Sequence, residues 1–226
     1  VDLRTALRTT GTVRGFTDQS VDEAVLREIL DDARFAPSGG NKQPWRVAVV
    51  ADIATRVALG DAMRPVWEEY AATTRAGHRP FVLGHSIDGI TTEPVPNALI
   101  DGIATVPVVL AVAANLTQIA LMDGALDRPA LTGGASLYPF CWNLLLSARA
   151  HGLGGVLTTF LSRREPEVAD VLGLPPGHAL AATIFLGHPI HQPTRLRRRE
   201  VAAFATRDRF DGEPFEGPTE TSAETP

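Results

Sequence analysis

Residues 36–45 read Ala36-Pro37-Ser38-Gly39-Gly40-Asn41-Lys42-Gln43-Pro44-Trp45. Ala36 ends a strongly helical segment and Arg46 opens a run with strand character, so the stretch joins a helix to a strand. Its two prolines fix the path of the chain, and its two glycines let backbone come close to a flat partner. Asn41 and Gln43 each bring a donor and an acceptor. This is chemistry for holding a planar, polar-edged ring against main chain. The same residue types also dominate ordinary turns, so composition alone leaves a plain helix-to-strand connector open.

Working outward, Ser20 and Glu23 have capping-box spacing, and Val25, Leu26, Ile29, Leu30 and Ala33 form an amphipathic stripe. A short helix is expected over 3–10, ending near Gly11. After the loop, 46–51 read as a buried strand and 54–76 as a helix with a potential break at Pro65. Residues 77–104 mix Gly, Pro and His with little periodicity. That segment is long for a connector and reads as a candidate lid. A second strand is expected over 105–114, then a loop over 122–133. Residues 136–151 are apolar nearly all round, which predicts a helix buried at the centre of something. Gly152 stops it, 155–160 read as a short strand, and Ser162 and Glu165 repeat the capping-box spacing before a helix over 163–172. A last strand is expected over 179–187. Strands alternate with helices, giving an α/β or α+β core.

The 226 residues suit one domain with extensions. Hydrophobic residues make up 44% and charged residues 21%, the balance of a globular protein. A net charge of -5 gives no reason to expect nucleic acid or an anionic membrane as partner. The single cysteine, Cys141, excludes an internal disulfide and reads as a buried, inert thiol. No run of 18 apolar residues and no secretory leader are present, so a cytoplasmic location is expected. Residues 212–226 hold four glutamates and no basic residue and are expected to form a loose tail.

Three further stretches carry potential chemistry. Arg8-Thr9-Thr10-Gly11-Thr12-Val13-Arg14-Gly15-Phe16 places two arginines and three hydroxyls within seven residues, a combination suited to phosphate. A solvated turn is the alternative. Gly152-Leu153-Gly154-Gly155 permits close backbone approach, although a helix C-cap accounts for at least one glycine. Arg195-Leu196-Arg197-Arg198-Arg199 is either part of a phosphate site or a solvated basic run. No G-x-G-x-x-G, phosphate-loop or G-x-S-x-G motif is present. Of the six histidines, only His188 and His191 are close in sequence, too few ligands for zinc, and no metal site is expected.

These residues together resemble the nitroreductase family. The likeness rests on Val13-Arg14-Gly15-Phe16, on the 36–45 loop, on Asn143–Arg149 followed by Gly152–Gly155, and on Leu186-Gly187-His188-Pro189 followed by arginines. The resemblance implies an α+β fold with a central mixed or antiparallel sheet flanked by helices. It also implies an intertwined homodimer that holds FMN where the subunits meet. Residues 1–204 would be the FMN-binding domain and 205–226 a partly disordered C-terminal extension.

By similarity, Arg8, Thr10, Thr12 and Arg14 face the FMN phosphate with Arg197 and Arg198. Pro37, Ser38, Gly39, Gly40, Asn41 and Gln43 line the ring from the partner, and Gly154 and Gly155 bring backbone N–H near its reactive edge. The helix over 136–151 would be the long dimer helix. Family members usually carry a second arginine three or four residues before the Arg14 position; here Gly11 and Thr10 stand there, with Arg8 about one turn away.

The implied activity passes electrons from NADH or NADPH through flavin N5 to an electron-poor acceptor, a nitroaromatic or quinone, in a ping-pong cycle with no catalytic side chain. Dehydrogenation, dehalogenation or flavin breakdown on the same scaffold, or a non-enzymatic flavin-binding dimer, are the alternatives.

Overall fold

A computed structural model of the protein describes residues 1–83 and 89–216. It divides into two compact units, Val1–Thr194 and Arg195–Pro226.

The first unit contains helices α1 (Leu3–Thr9), α2 (Glu23–Ala33), α3 (Ile53–Arg75), α4 (Ala98–Asp101), α5 (Tyr138–Ala150) and α6 (Glu165–Leu172). Its strands are β1 (Trp45–Val49), β2 (Val108–Asn115), β3 (Gly154–Thr158) and β4 (His178–Gly187). They form one sheet in the order β1-β2-β4-β3, with every neighbouring pair antiparallel. The expected strands therefore all form, with ends shifted by a few residues.

β2 is buried on both faces, which is why it reads as a continuous apolar run rather than an alternating one. On one face Leu110, Val112 and Ile184 pack against Ile29 and Ala33 of α2 and Leu144 of α5. On the other, Val109, Val156 and Phe185 meet Leu59 and Met63 of α3 and Val168 of α6. The α2 stripe predicted from spacing thus faces the sheet.

Several local expectations are corrected. The α2 cap is Asp22, whose Oδ1 accepts from Ala24 N at 2.7 Å, not Ser20. α3 runs unbroken through Pro65. The carbonyl that proline deprives of a partner belongs to Asp61, at an exposed position where water can serve it, while Leu59, Met63 and Val66 hold the helix on the core. Ser162 lies inside a 3-10 turn, Phe160–Arg164, and caps nothing; Glu165 instead accepts from Leu180 N at 2.5 Å. On the single chain α5 leaves Tyr138 and Trp142, one turn apart, 45% and 39% exposed.

The segment read as a lid contains α4 and the 3-10 turn Ile103–Thr105, and Trp67 Nε1 donates to Val95 O at 3.0 Å. Residues 84–88, including His85, lie outside the described residues. No helix among the described residues is long and apolar enough to cross a membrane.

In the second unit Thr206 and Pro214 form an antiparallel bridge, with Arg207 N–H donating to Glu213 O at 2.9 Å and Phe215 N–H to Ala205 O at 2.8 Å. Residues 212–216 therefore pair with their own unit; the rest of the expected tail, 217–226, lies outside the described residues.

Candidate active site

After α1 the chain turns at Gly11 and runs along the free edge of β3. Thr12 forms a parallel bridge with Gly155, and Val13 N–H donates to Gly155 O at 2.9 Å. Beyond Arg14, Ile190 N–H donates to Gly15 O at 3.1 Å and Phe16 bridges Pro189. The segment is clamped on both sides of Arg14. Arg14 and Arg8 are exposed and make no ion pair or side-chain hydrogen bond among the described residues. Of the nearby hydroxyls, Thr9 donates to Thr5 O at 2.8 Å and Thr10 to Ala6 O at 2.7 Å, both folded back on α1. The Thr12 hydroxyl has no such commitment among the described residues and lines the adjacent recess.

Two cavities flank β3 and share Val156 and Leu157. The first, about 340 Å³, is bounded by Thr10, Gly11 and Thr12 on one side and by Tyr138, Trp142 and Leu145 of α5 on the other, with Gly155 in its wall. The second, about 510 Å³, holds Arg14 together with Asn97, Thr158 and Thr159, and an aromatic wall of Trp67, Tyr70 and Phe160. Trp67 and Tyr70 stack at 5.9 Å, and Phe160 leans on Tyr70 at 6.2 Å. Both volumes lie in the range of small-ligand sites.

Asn97 is placed by its role as N-cap of α4. Its Oδ1 accepts from Leu99 N at 3.1 Å and Ile100 N at 3.3 Å, so its NH2 is the group left to donate. Sequence reasoning missed it because an Asn before Ala-Leu-Ile-Asp reads only as a helix start. Trp67 and Tyr70, three residues apart on the predicted helix over 54–76, were a legible signal for an aromatic wall.

The 36–45 loop is anchored at its ends. Ala36 and Pro44 are buried, and Trp45 stacks on Phe140 at 4.7 Å with 10° between the rings. Its middle is exposed and tightly wound. Gly39 N–H donates to Ser136 Oγ and Gln43 N–H to Ser38 Oγ, each at 2.9 Å, and Gln43 Nε2 donates to Asn41 Oδ1 at 3.1 Å. Asn41 and Gln43 both hold positive φ, 52° and 49°, a conformation that side chains rarely adopt. None of residues 37–43 lines either β3 cavity of the same chain. Gly154 is buried beneath Val13 and lines neither cavity. Arg197 and Arg198 belong to the second unit, where both are exposed and Arg198 Nη1 donates to Arg197 O at 2.8 Å. No group of three or more metal-ligating side chains occurs among the described residues.

The sequence model of the Nitroreductase family matches residues 7–188, an interval that contains every element of the sheet and both β3 cavities. The chain belongs to the nitroreductase family. Membership gives the class of activity: an oxidoreductase working with FMN and a reduced nicotinamide donor. Among the relatives, a protein named NADH dehydrogenase from Thermus thermophilus is 32% identical over 202 residues, covering 85% of this chain and 89% of its own. A nitrobenzene nitroreductase from Ectopseudomonas oleovorans is 28% identical over 189 residues, covering 77% and 81%. The solved NADPH:FMN oxidoreductase of Vibrio harveyi, complexed with NAD+, shares the fold with a TM-score of 0.65 at 18% identity, over 91% of this chain and 76% of that one.

The residues present fit FMN. The Arg14 guanidinium, without a side-chain partner among the described residues, suits a phosphate. An amide NH2 suits a polar ring edge, and the apolar shared floor of Val156 and Leu157 suits a flat ring.

Proposed function

We propose that this chain oxidises NADH or NADPH and passes the electrons to a small electron-poor aromatic or conjugated acceptor, such as a nitroarene or quinone, in two half-reactions through one shared pocket. Bound FMN supplies the hydride-accepting and hydride-donating centre. The fork of Arg14 holds its phosphate, and Arg8 is the other unpaired arginine close in sequence. The Asn97 NH2 donates to a polar edge of the ring. Val156, Leu157 and Met63 keep the floor dry, which strengthens every polar contact made above it.

A second copy of the chain covers the open side. Its α5 lies against Tyr138 and Trp142, and its Pro37–Gln43 turn, strained at Asn41 and Gln43, presents amide groups to the ring. The observation that carries this reading is Arg14, exposed and without a side-chain partner among the described residues, sharing a cavity with Asn97, whose NH2 makes no hydrogen bond among those residues. The test is an absorbance spectrum of the pure protein followed by NADH or NADPH oxidation with nitrobenzene or a quinone added. A yellow protein with acceptor-dependent oxidation is expected. A colourless protein that takes up no FMN on reconstitution refutes the proposal.

A further inference from the structure

The absent side chain at Gly154 has a definite occupant. A Cβ built there would lie 2.7 Å from Val13 Cγ2, 2.9 Å from Val13 Cβ and 3.0 Å from Val13 Cγ1. Val13 is 2% exposed, and its N–H is the one donated to Gly155 O. The Val13 side chain therefore sits as a peg in a notch that exists only because residue 154 is glycine. Its neighbours Thr12 and Arg14 are both exposed, and they line different cavities. A slip of one residue along β3 would bring Thr12 or Arg14 over the notch and turn Arg14 out of its cavity. Gly155 is constrained differently, since its Cβ would meet Leu186 and Leu145 side chains and Phe185 O, all part of the sheet and α5.

We infer that Gly154 and Val13 are positioning residues: the peg and notch fix the register of residues 12–14 on β3 and so aim Arg14 at the anionic end of the cofactor. This rests on the reading of Arg14 as the phosphate anchor. Arg14 has no side-chain partner of its own among the described residues, so its direction comes from the backbone that carries it. That backbone is held by the notch before Arg14 and by the Gly15–Ile190 bond after it.

The two flavins FMN and riboflavin separate aim from general damage, because only FMN carries a phosphate. The experiment titrates the full-length chain, freed of flavin, with each in turn and follows quenching of flavin fluorescence. Gly154→Ala should bind FMN about tenfold more weakly, the loss expected for one charge-assisted contact, with riboflavin affinity unchanged within about twofold. Gly154→Ala combined with Val13→Ala removes the two Cγ contacts but keeps the 2.9 Å approach to the residue-13 Cβ, so it should regain part of the FMN affinity lost in Gly154→Ala. Val13→Ala alone, which adds no clash, should show the same selective loss and carries the comparison if Gly154→Ala does not fold. Unchanged FMN binding, or an equal loss for both flavins, overturns the inference. Arg14→Ala tests the underlying reading separately: if it keeps its preference for FMN over riboflavin, the anchor assignment fails whatever happens at Gly154.

Discussion

Arg56 offers the sharpest energetic test of the fold around the site. It projects from the first turns of α3, and its guanidinium donates to three backbone carbonyls: Val50 O at 2.7 Å, Val106 O at 2.7 Å and Ala104 O at 3.2 Å. Val50 and Val106 are each 5% exposed, so these carbonyls have little access to water. No carboxylate pairs with this guanidinium among the described residues, and burial pulls its pKa down from the ordinary value. The side chain thus ties the end of β1 to the start of β2, directly after the α4 segment that carries Asn97.

Replacement by Met keeps an unbranched apolar stem and removes all the donors. Hydrogen bonds to charged groups contribute about 1.5–3 kcal/mol each. Two short bonds and one longer one, offset by release of a partly desolvated charge, give an expected loss of about 3 kcal/mol, on the order of a hundredfold in the folding constant. Urea unfolding at one fixed protein concentration measures it, since association would make the midpoint concentration-dependent. Arg56→Lys should fall between, because one ammonium cannot span three carbonyls. Amide exchange over residues 97–106 should accelerate in Arg56→Met. A loss under about 1 kcal/mol with unchanged exchange there would mean the carbonyls find other partners, and the tether argument would be wrong.

Asn97→Asp keeps the capping oxygen of α4 but removes the NH2, so it should melt with the parent while altering the flavin spectrum or affinity. Asn97→Ala should additionally lose about 1 kcal/mol of stability, and equal melting of all three proteins would refute the cap. Asp123 organises the loop before α5, accepting from Leu131 N at 2.8 Å, the Thr132 hydroxyl at 2.5 Å and Arg128 Nη1 at 2.6 Å. The Leu131 N–H first, then the Thr132 and Arg128 donors, hold its carboxyl well below the ordinary 3.8. Its stabilisation is therefore complete above that value and is lost as pH falls below it toward the folded value. Asp123→Asn should flatten the pH dependence of stability in that acid window, and an unaltered profile would count against it. Burial pushes the Cys141 thiol up to about 12, so it should resist a thiol reagent at pH 8 until the protein is unfolded. Rapid labelling of folded protein would contradict its place in the core.

Much of this molecule was legible locally. The stripe Val25–Ala33 made α2, the apolar run read as a strand over 105–114 made β2, and the residue types of 36–45 marked an amide-rich helix-to-strand turn. These are properties of neighbours three, four or two residues apart, so periodicity and backbone preference express them without reference to the rest of the chain. The exact caps were less legible, since Ser20 and Asp22 are both competent acceptors and only the entry angle of the chain selects Asp22.

The sequence by itself determined the elements, the exposed arginine at position 14 and the family likeness. Tertiary structure alone decided the all-antiparallel order β1-β2-β4-β3, the placing of Arg14 in one cavity with Asn97 and Thr158, which residues of α5 the single chain leaves exposed, and the occupation of the Gly154 notch by Val13. Val13 and Gly154 lie 141 positions apart in the chain. Contacts over such separations are selected by how whole faces pack and close the core, and no local pattern encodes which distant side chain will fill a missing one.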